Sequence, residues 1–117
     1  MSLLWVQAVA PTRYVTHQEL GQMYSGDFDE PFHRVRKSLQ EDWDSREPHE
    51  RTDYCHTKDV EHGGPGNYID HLKKDIAQNG MREPIDVRGT NVVTEGHHRG
   101  AAAMELKMDK IPVRDIR

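Results

Sequence analysis

The sequence predicts an α+β domain: a small mixed sheet with packed helices and a long polar insertion. Two observations carry that reading. From Asn67 onward the apolar spacing runs in the order helix, strand, strand, helix, strand, which suits strands and helices sharing one core. The 117 residues are one domain's worth of chain, enough for one modest core but not for a second large one.

The elements follow in order. "LLWVQAV" at 3–9 is β-branched and aromatic enough for a strand, closed by Ala10-Pro11. "THQELGQMY" reads as a short helix with Thr16 as N-cap and Glu19 completing a capping box, weakened by Gly21. In "FDEPFHRVRKSLQEDW" the residues Phe32, Val35, Leu39 and Trp43 recur at helical spacing after the start signals Asp29 and Pro31. This predicts an amphipathic helix. Residues 44–66 have few apolar side chains and no sustained period, and are expected to form a long polar loop with room for one short helix.

After "GGPG" the pattern is clearer. Asn67 is expected to cap a helix with Ile69, Leu72 and Ile76 on one face, Asp70 at the capping-box position and Asn79-Gly80 as the stop. "PIDVR" at 84–88 and "VVT" at 92–94 flank a "GTN" turn and form a hairpin. "EGHHRGAAAMELK" becomes a helix and "KIPVRDI" the last strand.

Composition bounds the function. Charged residues make up 31% of the chain and hydrophobic ones 34%, so part of it is exposed helix or loop. Residues 1–66 carry seven Lys/Arg against twelve Asp/Glu, a net of −5, and residues 67–117 nine against eight, a net of +1, which together give the −4 of the chain. That is not the basic footprint of general DNA binding, although a local basic site for DNA is left open. The acidic N-terminal portion suits a basic protein partner. One cysteine, Cys55, excludes an internal disulfide. No apolar run approaches the roughly 20 residues of a membrane span, and the opening lacks the basic start of a secretory signal. These features predict a cytoplasmic protein without membrane partners.

The chemistry concentrates in "TEGHHRGAAA" at 94–103, a strand-to-helix junction. The first N–H groups of a helix lack intrahelical partners and the macrodipole adds about half a positive charge, so an anion, phosphate above all, fits there. Gly96 allows close backbone approach and Arg99 offers a bidentate clamp. His97 and His98 suit phosphate hydrogen bonding or proton transfer, and Glu95 suits a general base or a magnesium ligand. The competing reading makes Glu95 a complement to the helix dipole and Arg99 a surface ion-pair partner. Spacing leaves the two even.

The run "NGMREPIDVRGTNVVTEGHHRGAAAMELKMDKIPVRDI" resembles the N-terminal domain of the ParB/sulfiredoxin-like superfamily, with its "NG" helix stop, "PI-x-V" strand, hairpin, "G-x-x-R-x-x-A-A" loop-helix and "IPV" strand. The likeness spans about Asn67 to Ile116, with "LLWVQAVAPTRYVTHQEL" supplying a first strand and helix. It implies a nucleoside triphosphate, CTP or ATP, bound with Mg²⁺. By motif position Gly96, His97, His98 and Arg99 form the phosphate cradle, while Pro84, Ile85 and Arg88 lie on the strand lining the pocket. Glu95 and His98 are then the candidates for catalysis.

The departures narrow this. His97 stands where sulfiredoxins have their reactive cysteine, and Cys55, far from the motif, reads as an ordinary small residue. ParB proteins use further DNA-reading and dimerisation regions that are not found here, so a DNA clamp is unsupported. A zinc site from Cys55 and the histidines at 33, 49, 56 and 62 is disfavoured, because Cys55 and His56 are adjacent and the other spacings are six or more. Three functional classes stand: a nucleotide-dependent kinase, phosphohydrolase or nuclease; a non-catalytic nucleotide-binding or regulatory module; and a protein-interaction module with a degenerate nucleotide site. By resemblance, the short format and divergent middle suit a phage or plasmid accessory protein. Asp70, His71, Glu19 and Glu30 are further acid/base candidates, for which plain surface roles are favoured.

Overall fold

The computed structural model describes residues 11–116. The chain is an α+β fold: a five-stranded mixed sheet with helices packed on it. The strand expected at 3–9 lies outside the described residues. Strand β1 (Arg13–Val15) runs antiparallel to β5 (Ile111–Ile116), which lies parallel to β3 (Ile85–Arg88). β3 pairs antiparallel with β4 (Val92–Glu95), and β4 pairs parallel with the two-residue β2 (Tyr24–Ser25), giving the order β1-β5-β3-β4-β2.

The expected capping box closes helix α1 (His17–Gly21): Thr16 Oγ1 accepts from Glu19 N–H at 3.1 Å and Glu19 Oε1 accepts from Thr16 N–H at 2.9 Å. Two orphan donors are thereby satisfied by neighbours, and a five-residue helix holds. The next segment enters more tightly than its period suggests. Pro31 begins a 3-10 turn at Phe32–Arg34, and only then does α2 (Val35–Asp44) continue as an α-helix. Phe32 and Val35 are buried in the core, as their spacing indicated.

The polar middle corrects the expectation of a loop over residues 44–66. It folds into two helices, α3 (Pro48–Tyr54) and α4 (Thr57–His62). Periodicity is silent because α3 buries no residue and α4 buries only Asp59, so neither has an apolar face to pattern. Their signals are at the ends. Pro48 occupies the first turn of α3, Glu50 Oε1 accepts from Glu47 N–H at 2.8 Å, His56 Nδ1 accepts from Lys58 N–H at 3.1 Å, and Gly63 ends α4 at φ +80°. Arg51 lies over the Trp43 ring at 4.5 Å, which fastens α3 to α2.

Helix α5 (Pro65–Asn79) begins two residues before the expected cap, with Gly64 at the N-cap and Pro65 at the first turn. Asn67 instead donates its amide to His62 O at 3.0 Å, and Asp70 pairs with Arg36 at 3.1 Å rather than closing a capping box. Gly80 ends the helix where expected. The hairpin turns at Gly89 (φ +65°), and α6 (His97–Glu105) crosses back against α5. Ala101, Ala102 and Ala103 are buried, small enough to let α6 lie close to its neighbours. A Cβ on Gly100 would stand 2.6 Å from the Phe32 ring, so this glycine is required by packing.

Leu20, Phe32, Ile69, Ile85, Val87, Val93, Ile111 and Val113 are fully buried and join sheet and helices in one core. Among the described residues no helix is long and apolar enough to cross a membrane.

Candidate functional site

The junction between β4 and α6 opens into a cleft of about 180 Å³. Its walls come from distant parts of the chain: Asp27 after β2, His56 before α4, Tyr68 of α5, and the run Thr94–Arg99. Gly96 is the N-cap of α6 and sits at φ +93°, a left-handed conformation that costs an L side chain energy. The first intrahelical bond is Gly100 N–H to Gly96 O at 2.7 Å. The N–H groups of His97, His98 and Arg99 therefore have no intrahelical acceptor, and Gly96 has no side chain to cap them.

His97 turns its imidazole inward, with only 5% exposed. Its Nε2 lies 2.8 Å from Ser25 Oγ, and that oxygen also accepts from Asp27 N–H at 3.2 Å and Phe28 N–H at 3.0 Å. With both lone pairs of Ser25 Oγ engaged, the hydroxyl proton is donated to Nε2, and neutral His97 keeps its own proton on Nδ1, 3.6 Å from Asp27 Oδ2. Burial among Phe28 and Phe32 lowers the His97 pKa below its ordinary value, against the pull of the Asp27 carboxylate. What His97 offers the cleft is its backbone N–H.

His98 faces the other way. Its Nε2 stands 2.9 Å from Asp59 Oδ1 and 3.1 Å from Asp59 Oδ2, the second approach being aligned as a hydrogen bond. The rings of His56, at 5.2 Å, and Tyr68, at 5.1 Å, lie on it. Tyr68 is stacked in turn with His56 and His62, so α4, α5 and α6 meet in an aromatic cluster.

Arg99 folds back beside Gly96. Its Nη2 donates to Pro84 O at 3.1 Å, Nη1 is 3.8 Å from Glu83 Oε2, and Nε is buried with no partner. An added Cβ at Gly96 would lie 3.0 Å from that Nη2, so glycine is what admits the guanidinium. Glu95 is exposed on the cleft rim.

Of the residues singled out from the sequence, Glu95, Gly96, His97, His98 and Arg99 come together here. Pro84 takes part through its carbonyl, while its ring lines a separate hollow with Tyr14 and Pro112. Arg88 is exposed at the hairpin turn, opposite Val92 in register and outside the cleft lining. Asp70 belongs to the Arg36 network, Glu19 to the α1 cap, and Glu30 accepts from Ser38 Oγ at 2.7 Å. Burial pushes the Cys55 thiol pKa up, which leaves it a poor nucleophile. Sequence reasoning missed Ser25, Asp27, His56, Asp59 and Tyr68. The capping residues that could have revealed α4 were legible in "HTKD", but not the partner across the fold.

A larger, mainly apolar hollow of about 400 Å³ lies between α1, α2 and α6. Its cation, Arg36, is already engaged by Glu105 at 2.8 Å and Asp70 at 3.1 Å, which leaves no free charge there to orient a ligand. Among the described residues no group of three or more His, Cys, Asp or Glu side chains converges as a metal site. No protein-family model, curated protein or solved structure matches the chain.

Proposed function

We propose that this protein binds the phosphates of a nucleotide, of the CTP or ATP type, at the N-terminus of α6. The observation that carries the reading is the junction itself: a helix start with uncapped N–H groups, a left-handed glycine and an arginine whose Nε is buried without a partner, all beside one open cleft. Positive potential from the helix end acts in a confined space, where it is screened less than at an open surface. The resemblance of the "PIDVR", "GHHRGAAA" and "KIPV" runs to the ParB/sulfiredoxin-like superfamily supports the choice of a nucleotide over a simple anion.

In this reading the N–H groups of His97 to Arg99 and the guanidinium of Arg99 hold phosphate oxygens. Asp27 and Glu95 line the same cleft and are the carboxylates that would hold a Mg²⁺ ion there. Mg²⁺ would supply charge neutralisation at the phosphates.

Calorimetric titration with CTP, ATP, ADP and GTP, each with Mg²⁺, tests the proposal. At least one should bind, and Arg99→Ala should weaken it by about tenfold or more, the scale of one charge-assisted pair. If the intact protein binds none of the four, the proposal is wrong.

A further inference from the structure

Asp59 is 5% exposed, yet it belongs to a six-residue helix that buries nothing else. A carboxylate withdrawn from water needs a partner, and the partner is His98 Nε2. To donate to Asp59, Nε2 must carry the proton, so the neutral ring keeps its lone pair on Nδ1. His56 and Tyr68 pack on the ring and oppose its turning over. Among the described residues Nδ1 of His98 has no hydrogen-bond partner, nor is it a buried orphan, and His98 lines the cleft. The preceding His97 is held by Ser25 in the opposite tautomer. Two adjacent histidines thus present different nitrogens, each fixed by a residue from elsewhere in the fold.

We propose that Asp59 is a positioning residue that locks His98 as the Nε2–H tautomer, so that Nδ1 presents a proton acceptor to a water beside the phosphate bound at α6. The ligand's identity rests on the phosphate-binding reading above. A lone pair facing a bare phosphate oxygen is repelled, whereas a water molecule between them satisfies both. Nδ1 takes a proton from that water as its oxygen bonds to phosphorus. At the terminal phosphorus the bridging P–O bond breaks, its electron pair leaves on the oxygen of the departing nucleoside diphosphate, the water oxygen stays in the inorganic phosphate released, and the His98 imidazolium beside Asp59 returns its proton to solvent. The substrate class is a nucleoside triphosphate and the reaction is hydrolysis of its phosphoanhydride.

Long-range ¹H–¹⁵N correlation spectra of the ligand-free protein, with His98 assigned through His98→Gln, read the tautomer directly. The expected result is a single Nε2–H form for His98, Nδ1–H for His97, and a mixed His98 signal in Asp59→Leu. A mixed or Nδ1–H form of His98 in the wild-type protein overturns the proposal even if Asp59→Leu does not fold. Phosphate release from the bound triphosphate should then fall in Asp59→Asn by about tenfold or more in kcat, with KM little changed, since a misdirected base loses part of its usual contribution. Wild-type binding without phosphate release, or wild-type kcat in Asp59→Asn, overturns the role of His98 as a base. If no nucleotide binds, the phosphate reading fails and the base role with it, while the spectrum alone decides whether Asp59 positions His98.

Discussion

His97 at the start of α6 and Ser25 at the end of β2 are joined by a buried hydrogen bond of 2.8 Å, across 72 residues of sequence. The bond ties the edge of the sheet to the helix that forms the cleft. Ser25 Oγ also accepts from two backbone N–H groups, so one hydroxyl organises the turn that carries Asp27. Ser25→Ala removes all three bonds and leaves His97 Nε2 buried without a donor. The expected cost is about 1–3 kcal/mol, the scale of an unsatisfied buried polar group, read as a lower urea midpoint at unchanged slope. A shift within about 0.5 kcal/mol, the range of ordinary surface changes, would mean that the bond is not formed.

The same histidine makes stability depend on pH. Its folded-state pKa is depressed by burial below the ordinary value of 6.5, so the unfolded chain binds the proton more readily. The contribution of neutral His97 is complete above about pH 6.5 and is lost as pH falls from there toward the lower folded-state value, at up to about 1.4 kcal/mol per pH unit. Urea midpoints from pH 7.5 down to 5.5, at about half-unit steps, should fall less steeply in His97→Gln than in the wild type. Parallel curves would contradict the assignment.

Gly100→Ala sets two effects against each other. Alanine raises helix propensity by about 1 kcal/mol, while its Cβ would meet the Phe32 ring at 2.6 Å. Because Phe32 is fully buried, its ring has no room to retreat, and overpacking of about 1–3 kcal/mol should win. Thermal melting decides the sign: a higher Tm would show that the core yields more easily than its packing implies.

At Gly96 the backbone conformation and the space both exclude a side chain. With φ at +93° and an added Cβ 3.0 Å from both Arg99 Nη2 and Ile85 Cδ1, Gly96→Ala should cost about 1–3 kcal/mol and displace the guanidinium. Gly89, also at positive φ but with nothing within 4 Å, is the control, and Gly89→Ala should cost only the backbone term of about 1–2 kcal/mol. Nucleotide titration of the two variants should separate them: affinity falls in Gly96→Ala and is kept in Gly89→Ala.

Arg36 bridges three helices, reaching Glu105 at 2.8 Å and Asp70 at 3.1 Å from α2. The group is partly exposed, so screening limits its worth to about 1 kcal/mol. The loss in Arg36→Ala should shrink as sodium chloride is raised to about 1 M, where the Debye length is about 3 Å. A loss independent of salt would assign the effect to packing of the side-chain stem.

Elements specified by neighbouring residues could be read from the chain alone. Thr16 and Glu19 cap α1 because both partners are three residues apart, and the "PIDVR-GTN-VVT" hairpin follows from β-branched runs around a glycine turn. The alanine run after Gly100 likewise marked a helix, and the structure shows that its small side chains let it pack closely. Helices α3 and α4 escaped a reading based on apolar period, since they bury one side chain between them and are specified by end residues alone. The candidate site divides along the same line. The uncapped helix start at Gly96 to Arg99 is local and was legible, but the direction of each histidine was not. His97 turns inward because Ser25 receives it, and His98 turns toward Asp59 because α4 is brought to α6. Those partners lie 72 and 39 residues away, and only the folded chain brings them within a hydrogen bond.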